Sequence, residues 1–272
     1  QNTIKLDAVL EENKDLLKIQ QEIVFFNNSS TNLKEIYLHN WPNSFKSNTS
    51  PLSKRLIEDY NKSLYFAKEK DRGYSNILNL TVNYKTAHFS SQKETEDILK
   101  VDLLEELKPS DSIIINATYL VKIPNATYTK YGKNQQNYHL RYWYLTPAVY
   151  NNGWQLMSNL NTDDLFIEPT HYIINLKTSS NLNVISNLNV FKATNTDFKI
   201  SGRKKTDVLL YIGKEKIFNT HKTDKISVVT DIPIKDLSKK LTTDLLNREL
   251  NFIESYLGEY PFSKILLDEI SQ

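Results

Sequence analysis

Residues 112–121, SIIINATYLV, alternate almost without a break. Ile113, Ile115, Ala117, Tyr119 and Val121 fall on one side of an extended chain. Ser112, Asn116 and Thr118 fall on the other, together with Ile114 and Leu120. That pattern suits a strand in a sheet with one buried face and one partly wetted face. Pro109-Ser110-Asp111 supplies the turn before it, and Pro124 ends it. The chain is therefore read as mainly β.

Working outward, the same period recurs. Ile4, Leu6 and Ala8 alternate, as do Leu17, Ile19, Gln21, Ile23 and Phe25. Further strands are predicted at 33–39, 77–82, 98–103, 182–185 and 208–212, and around Tyr172, Phe198 and Ile226. Asn27-Asn28-Ser29-Ser30 and Asn151-Asn152-Gly153 read as turns. Trp41-Pro42-Asn43 ends the strand before it. Many short, closely spaced strands predict an antiparallel sandwich or a large curved sheet. One helix is inserted. Ser50 is its N-cap and Pro51 its first residue, with a stripe at Leu52, Leu56, Tyr60 and Leu64 and a stop at Asp71-Arg72-Gly73. A second helical pattern covers about 235–257, with Gly258 as its stop and Pro261 beyond. Ile265-Leu266-Leu267 then reads as a buried strand.

The densest stretch is 138–154, YHLRYWYLTPAVYNNGW. Read as a strand, it places Tyr138, Leu140, Tyr142 and Tyr144 on one side and His139, Arg141 and Trp143 on the other. It is either a core corner or the lip of a pocket.

Composition narrows the partners. The 272 residues carry 34 Lys and Arg against 32 Asp and Glu, a formal net charge of +2. Phosphate recognition needs a concentrated positive field, so nucleic acid is not an expected partner. There is no Cys, hence neither a disulfide nor a thiolate zinc site. No apolar run approaches the ~20 residues of a membrane-spanning helix. The sequence starts at Gln1 without Met or a signal peptide, which suits a mature exported protein, periplasmic or extracellular, and equally a trimmed one.

Four blocks, in order, resemble the N-terminal half of the gluzincin zinc aminopeptidases, the family of aminopeptidase N and leukotriene hydrolase. They are NNSSTNLKEIYLHNWPNSF at 27–45, LKPSDSIIINATYLVKIP at 107–124, YWYLTPAVYNNGW at 142–154 and LNRELNFIESYLGEYPFSK at 246–264. The exported bacterial branch is the most similar. The resemblance implies a saddle-shaped N-terminal β domain at 1–232. It implies that 233–272 begins a thermolysin-like α/β catalytic domain, present only as a helix and a strand. That catalytic domain, continuing past Gln272, is then the implied partner, with a peptide substrate between the two. The zinc cofactor belongs to the parent protein. Family chemistry rests on His-Glu-x-x-His, two His that bind zinc and a Glu that activates water. Here none of the five His is followed by Glu, and no two are four apart. The chain alone is expected to be inactive, with no catalytic residue, no metal site and no cofactor of its own.

In the family, a Gln or Glu on a strand of the N-terminal domain receives the free amine of the substrate. By the resemblance that position falls near Tyr142, which this chain fills with Tyr. The aromatic face around it is expected to be exposed. His39 is read as a packed strand-end residue, and His139 and His171 as partly exposed residues of strands. Asp163-Asp164 and Glu94, Glu96 and Asp97 are read as solvated charge. A reading of another class remains: a stand-alone β-rich module that binds carbohydrate or a protein, with 138–154 as its platform. The terminal helix and strand separate the two. On the peptidase reading they carry an apolar face that the β body does not cover.

Overall fold

The computed structural model describes residues 1–91, 94–161, 165–214, 218–232 and 238–267. Its main strands are β1 (Thr3–Glu11), β2 (Leu16–Phe26), β3 (Leu33–His39), β4 (Tyr74–Val82), β5 (Ile98–Leu107), β6 (Ser112–Lys122), β7 (Asn137–Leu140) and β8 (Thr170–Thr178). After them come β9 (Asn183–Ser186), β10 (Asn189–Lys192), β11 (Asp197–Lys205), β12 (Leu210–Gly213), β13 (Asn219–Lys222), β14 (Ser227–Thr230) and β15 (Lys264–Leu267). The helices are α1 (Pro51–Glu58) and α2 (Lys239–Leu257). The mainly β expectation holds.

The largest sheet runs β10-β11-β8-β1-β2-β6-β4, closed at its edge by Lys85–Thr86. Its pairs are antiparallel except β1 with β8, which is parallel. Register follows the alternation. Ile19 faces Ala8 on one side and Tyr119 on the other, and Ile23 faces Ile4 and Ile115. Slipping one strand by a residue would send every apolar side chain to the wet face. Burial of each such side chain stabilises by about 1.5–3 kcal/mol. A second sheet runs β9-β12-β7 and ends on Gly132–Asn134; a third places β3 between Thr146–Pro147 and β5. The buried face of the largest sheet shares one apolar core with both.

Two glycines are required by space. A Cβ on Gly132, which has φ +137, would stand 2.3 Å from the Pro124 carbonyl oxygen. Gly73 lies so close to Pro124 that a Cβ would meet its Cδ at 2.7 Å. Gly73 is thus a close-approach residue ahead of β4 rather than the predicted helix stop.

The inserted helix is shorter than its stripe predicts. Ser50 caps it, its Oγ accepting from the Ser53 N–H at 3.2 Å, but it ends at Glu58. Tyr60 is left-handed (φ +61) and 95% exposed. The reason lies just beyond. Asn61 Oδ1 accepts from the N–H and the hydroxyl of Ser63, a local turn that competes with helix continuation. Leu64 still reaches the core of α1 beside Leu52, Leu56, Phe45 and Tyr128. Trp41-Pro42-Asn43, placed after β3 as predicted, opens a 3-10 turn over Trp41–Phe45.

The second helical prediction holds from Lys239 onward; residues 235–237 lie outside the described residues. Ser238 caps α2, and Gly258, φ +86, ends it. Leu246 and Leu250 pack on Ile226 and Val228. β15 pairs in parallel with β14, so this three-stranded sheet takes strands from both sides of residue 232. Leu266 is buried, but Leu267 is 42% exposed, because among the described residues β15 has a strand on one side only. The strand is half covered where the sequence predicts a buried one.

Candidate functional site

The aromatic stretch does not stay a strand. β7 ends at Leu140, and the chain runs irregularly through Arg141 to Leu145 before Thr146–Pro147 pairs with His39 and Leu38. Tyr142 is left-handed, φ +54, a conformation that costs a bulky residue energy and persists only where its surroundings fix it. Alternation of faces therefore fails at Arg141. Tyr138, His139, Leu140, Tyr142, Trp143, Tyr144 and Leu145 are all buried. The expected exposed aromatic face is instead part of the core, because the irregular backbone turns both sets of side chains inward. With it goes the exposed platform that a carbohydrate-binding module would need.

What fixes the segment is Gln21. It sits on the buried face of β2, in register with apolar neighbours, and is 3% exposed. Its Oε1 accepts from the Tyr119 hydroxyl and from the Leu145 N–H at 3.2 Å, and its Nε2 donates to the Leu145 carbonyl at 2.7 Å. Both backbone groups of an irregular residue are thereby satisfied inside the core. Burial raises the Tyr119 hydroxyl pKa far above its ordinary range, the Leu145 backbone pulling weakly against it.

The Tyr142 ring meets the Trp41 ring edge-on at 4.7 Å between centroids, with Ile167 and Leu165 beside it. The Arg141 guanidinium lies 4.6 Å from the Tyr142 ring centroid and 5.7 Å from that of Tyr131. Arg141 Nε donates to Asp207 Oδ2 at 3.1 Å, tying the end of β7 to the loop before β12. Such cation–π contacts reach about 2 kcal/mol when desolvated.

Behind Trp41 lies a polar layer. Its Nε1 donates to the Met157 carbonyl at 2.8 Å. His39 stacks on it at 4.7 Å, and His39 Nε2 accepts from the Met157 N–H at 3.1 Å. Burial lowers the His39 pKa to about 4, against a weaker opposing pull from the Gln155 backbone. His39 is thus the packed residue expected. His139 is not the partly exposed residue expected: it is 3% exposed, edge-on to Tyr211. His171 faces Thr3 across the parallel pair, half-buried.

Asp97 also departs from expectation. It is 1% exposed. Its carboxylate accepts from Ser44 Oγ at 3.0 Å, Ser158 Oγ at 2.9 Å and the Asn159 N–H at 2.8 Å. Burial raises its pKa, and those hydrogen bonds pull it back. Asp163 and Asp164 lie outside the described residues.

Two small crevices flank Tyr142. One, about 30 Å³, is lined by Phe45, Thr129, Tyr131, Arg141, Asn159 and Asn161 along with Tyr142 itself. The other, also about 30 Å³, lies on the side of Pro42, Ile123 and Leu140. Each has room for about one water molecule. Among the described residues no pair of groups around Tyr142 forms a nucleophile with its base, so their arrangement holds shape and offers hydrogen bonds. Among the described residues no group of three or more His, Asp or Glu comes together to hold a metal ion.

The sequence points to Tyr142 but not to what surrounds it. Gln21, a lone amide in an apolar alternation, was the available signal. The Asp97 partners come from two distant segments, around Ser44 and at Ser158–Asn159, and leave none.

No protein-family model and no curated protein matches the chain. Solved structures do. The chain is similar to the M1 zinc metallopeptidase of Deinococcus radiodurans, with a TM-score of 0.58 and 8% identity over 98% of this chain and 55% of that one. A mutant of that enzyme bound to a Tyr-Ser-Ala substrate gives a TM-score of 0.55 at 9% identity, with the same coverage. A mutant two-domain M1 zinc metallopeptidase bound to L-arginine gives 0.56 at 10%, again with 98% and 55% coverage. At such identities the likeness is one of fold, and the chain spans about half the length of the metallopeptidases whose fold it shares.

Proposed function

We propose that the chain is the N-terminal β part of an exported zinc metallopeptidase of the aminopeptidase type. Residues 1–232 pack on the catalytic domain and wall one side of its peptide cleft. Residues 233–272 begin that domain, and the β13–β14–β15 sheet is the joint between the two. By itself the chain hydrolyses nothing.

The observation that carries this reading is the uncovered side of the terminal helix. Leu241, Leu245, Phe252 and Tyr256 recur at helical spacing on one face, and Leu241, Phe252 and Tyr256 are 46%, 60% and 76% exposed. Only Thr242 and Leu250 of α2 are buried. A helix apolar on a face that its own sheet does not cover is a helix with a second neighbour. The fold likeness supports the same reading, since it accounts for nearly all of this chain and about half of the metallopeptidases. Tyr142 stands where the resemblance places the amine-binding residue. In this reading it shapes the cleft wall through Trp41 and Arg141 rather than accepting the ammonium through a carboxylate.

Reading the encoding frame past the Gln272 codon tests the proposal. Continuation into His-Glu-x-x-His with a later Glu supports it, and a stop codon directly after Gln272 overturns it. The extended protein is expected to hydrolyse aminoacyl anilides in a zinc-dependent manner.

A further inference from the structure

Three sheets meet beside the terminal segment: β9 of the second sheet, β10 and β11 at one end of the largest, and the β13–β14–β15 sheet. Between them lies a cavity of about 560 Å³, well inside the range that holds small organic ligands. Val184, Val190, Phe198, Phe218 and Val229 give it apolar walls. Two lysines line it as well, Lys192 and Lys264, and among the described residues none that lines it is Asp or Glu.

Among the described residues neither ammonium has a carboxylate partner. Lys264 Nζ donates to the Leu188 carbonyl at 3.0 Å. Lys192 Nζ donates to Asn181 Oδ1 at 2.9 Å and lies 5.7 Å from the Phe198 ring centroid. Both acceptors are uncharged, and each ammonium has three N–H donors, so both retain unused donors. Lys264 is the costlier of the two. Burial lowers its pKa first, and the nearby Lys205 lowers it further. A partly desolvated cation without a counter-charge is destabilising until an anion joins it. An anion alone would satisfy the lysines and leave the apolar walls wet. A neutral apolar molecule would do the reverse. The cavity asks for both in one ligand.

We propose that this cavity binds an anionic amphiphile, a carboxylate on an acyl chain, with its headgroup at Lys192 and Lys264 and its tail along Val184, Val190, Phe198 and Val229. The inference is independent of the peptidase reading, because every group it uses lies within this chain.

Calorimetric titration of the full 272-residue chain with dodecanoate, below its micellar concentration, tests it. One saturable site is expected. Dodecyltrimethylammonium, the same tail with the opposite charge, is expected to bind at least about tenfold more weakly. The double variant Lys192→Gln, Lys264→Gln keeps the stems and a donor amide. It is expected to weaken dodecanoate by about tenfold or more while unfolding at the wild-type temperature. Val190→Trp, which fills the cavity from the edge strand, is expected to remove the site. No saturable binding, equal affinity for the cationic amphiphile, or full affinity in the folded double variant would each overturn the proposal. Should a variant fail to fold, the comparison of the two amphiphiles on the wild-type chain still decides it.

Discussion

Replacing His39 by Gln should remove most of the acid sensitivity that this one side chain gives the fold. His39 is 0% exposed, stacked on Trp41, with Nε2 accepting from the Met157 N–H. Its pKa falls from 6.5 to about 4 on folding. Between those values the unfolded chain binds a proton that the folded chain refuses, so stability rises with pH across this window and is lost as pH falls through it. The full difference is worth about 3 kcal/mol, and at pH 5 about 2 kcal/mol of it is already gone. Glutamine can accept the same N–H through Oε1 and does not titrate. Urea unfolding of both proteins at pH 7.5 and pH 5 measures the effect. The wild type should lose about 2 kcal/mol more than His39→Gln over that interval, every other titrating group being common to both. A difference below about 0.5 kcal/mol would refute the reasoning, and so would an imidazole titration by NMR that places His39 near its ordinary pKa.

Other outcomes follow from the same contacts. Gln21→Leu takes the Gln21 partner from the Leu145 N–H, the Leu145 carbonyl and the Tyr119 hydroxyl, the N–H keeping only the Tyr119 oxygen at 3.2 Å. Chemical denaturation should show a loss of about 2–4 kcal/mol. Adding Tyr119→Phe to that variant should cost less than it does in the wild type, and a double-mutant cycle measures the coupling. Gly132→Ala drives a Cβ to 2.3 Å from the Pro124 carbonyl oxygen, so a destabilisation of about 2–4 kcal/mol in thermal or urea unfolding is expected. Phe252→Lys together with Tyr256→Glu on the uncovered face of α2 should leave the stability of this chain within about 0.5 kcal/mol and reduce its self-association in light scattering. On the proposed peptidase reading, the same pair in the longer protein should cost activity.

The strands were legible wherever one face is buried and the other wet. β2, β6 and β8 alternate along their whole length, and period 2 carries their position and their faces. Residues 141–145 defeated that rule because both sets of side chains are buried. An aromatic run then looks alike as a strand and as an irregular core segment. The end of α1 was hidden for a different reason. The stripe through Tyr60 and Leu64 is real as a pattern, but a three-residue hydrogen-bonded turn at Asn61 outweighs it. Asp97 could not be read at all, since its burial depends on Ser44, Ser158 and Asn159, brought together only by the finished fold. Around Tyr142 the sequence gives the residue and its aromatic neighbours. The left-handed backbone and the Gln21 anchor exist only in three dimensions.

The parallel pair of β1 with β8 has a consequence for how the protein is made. Thr3 is held against His171 and Leu10 against Thr178, so β1 leaves the ribosome long before β8 and waits for it. At ordinary elongation rates that wait is on the order of ten to thirty seconds. During it, β1 can pair only with β2, and its other edge is an open row of donors and acceptors next to an apolar face. Contacts of such long sequence separation also slow folding of the completed chain. The nascent protein is therefore most vulnerable to misassociation before residue 178 emerges, and a holdase that covers an unpaired strand edge would act in that interval.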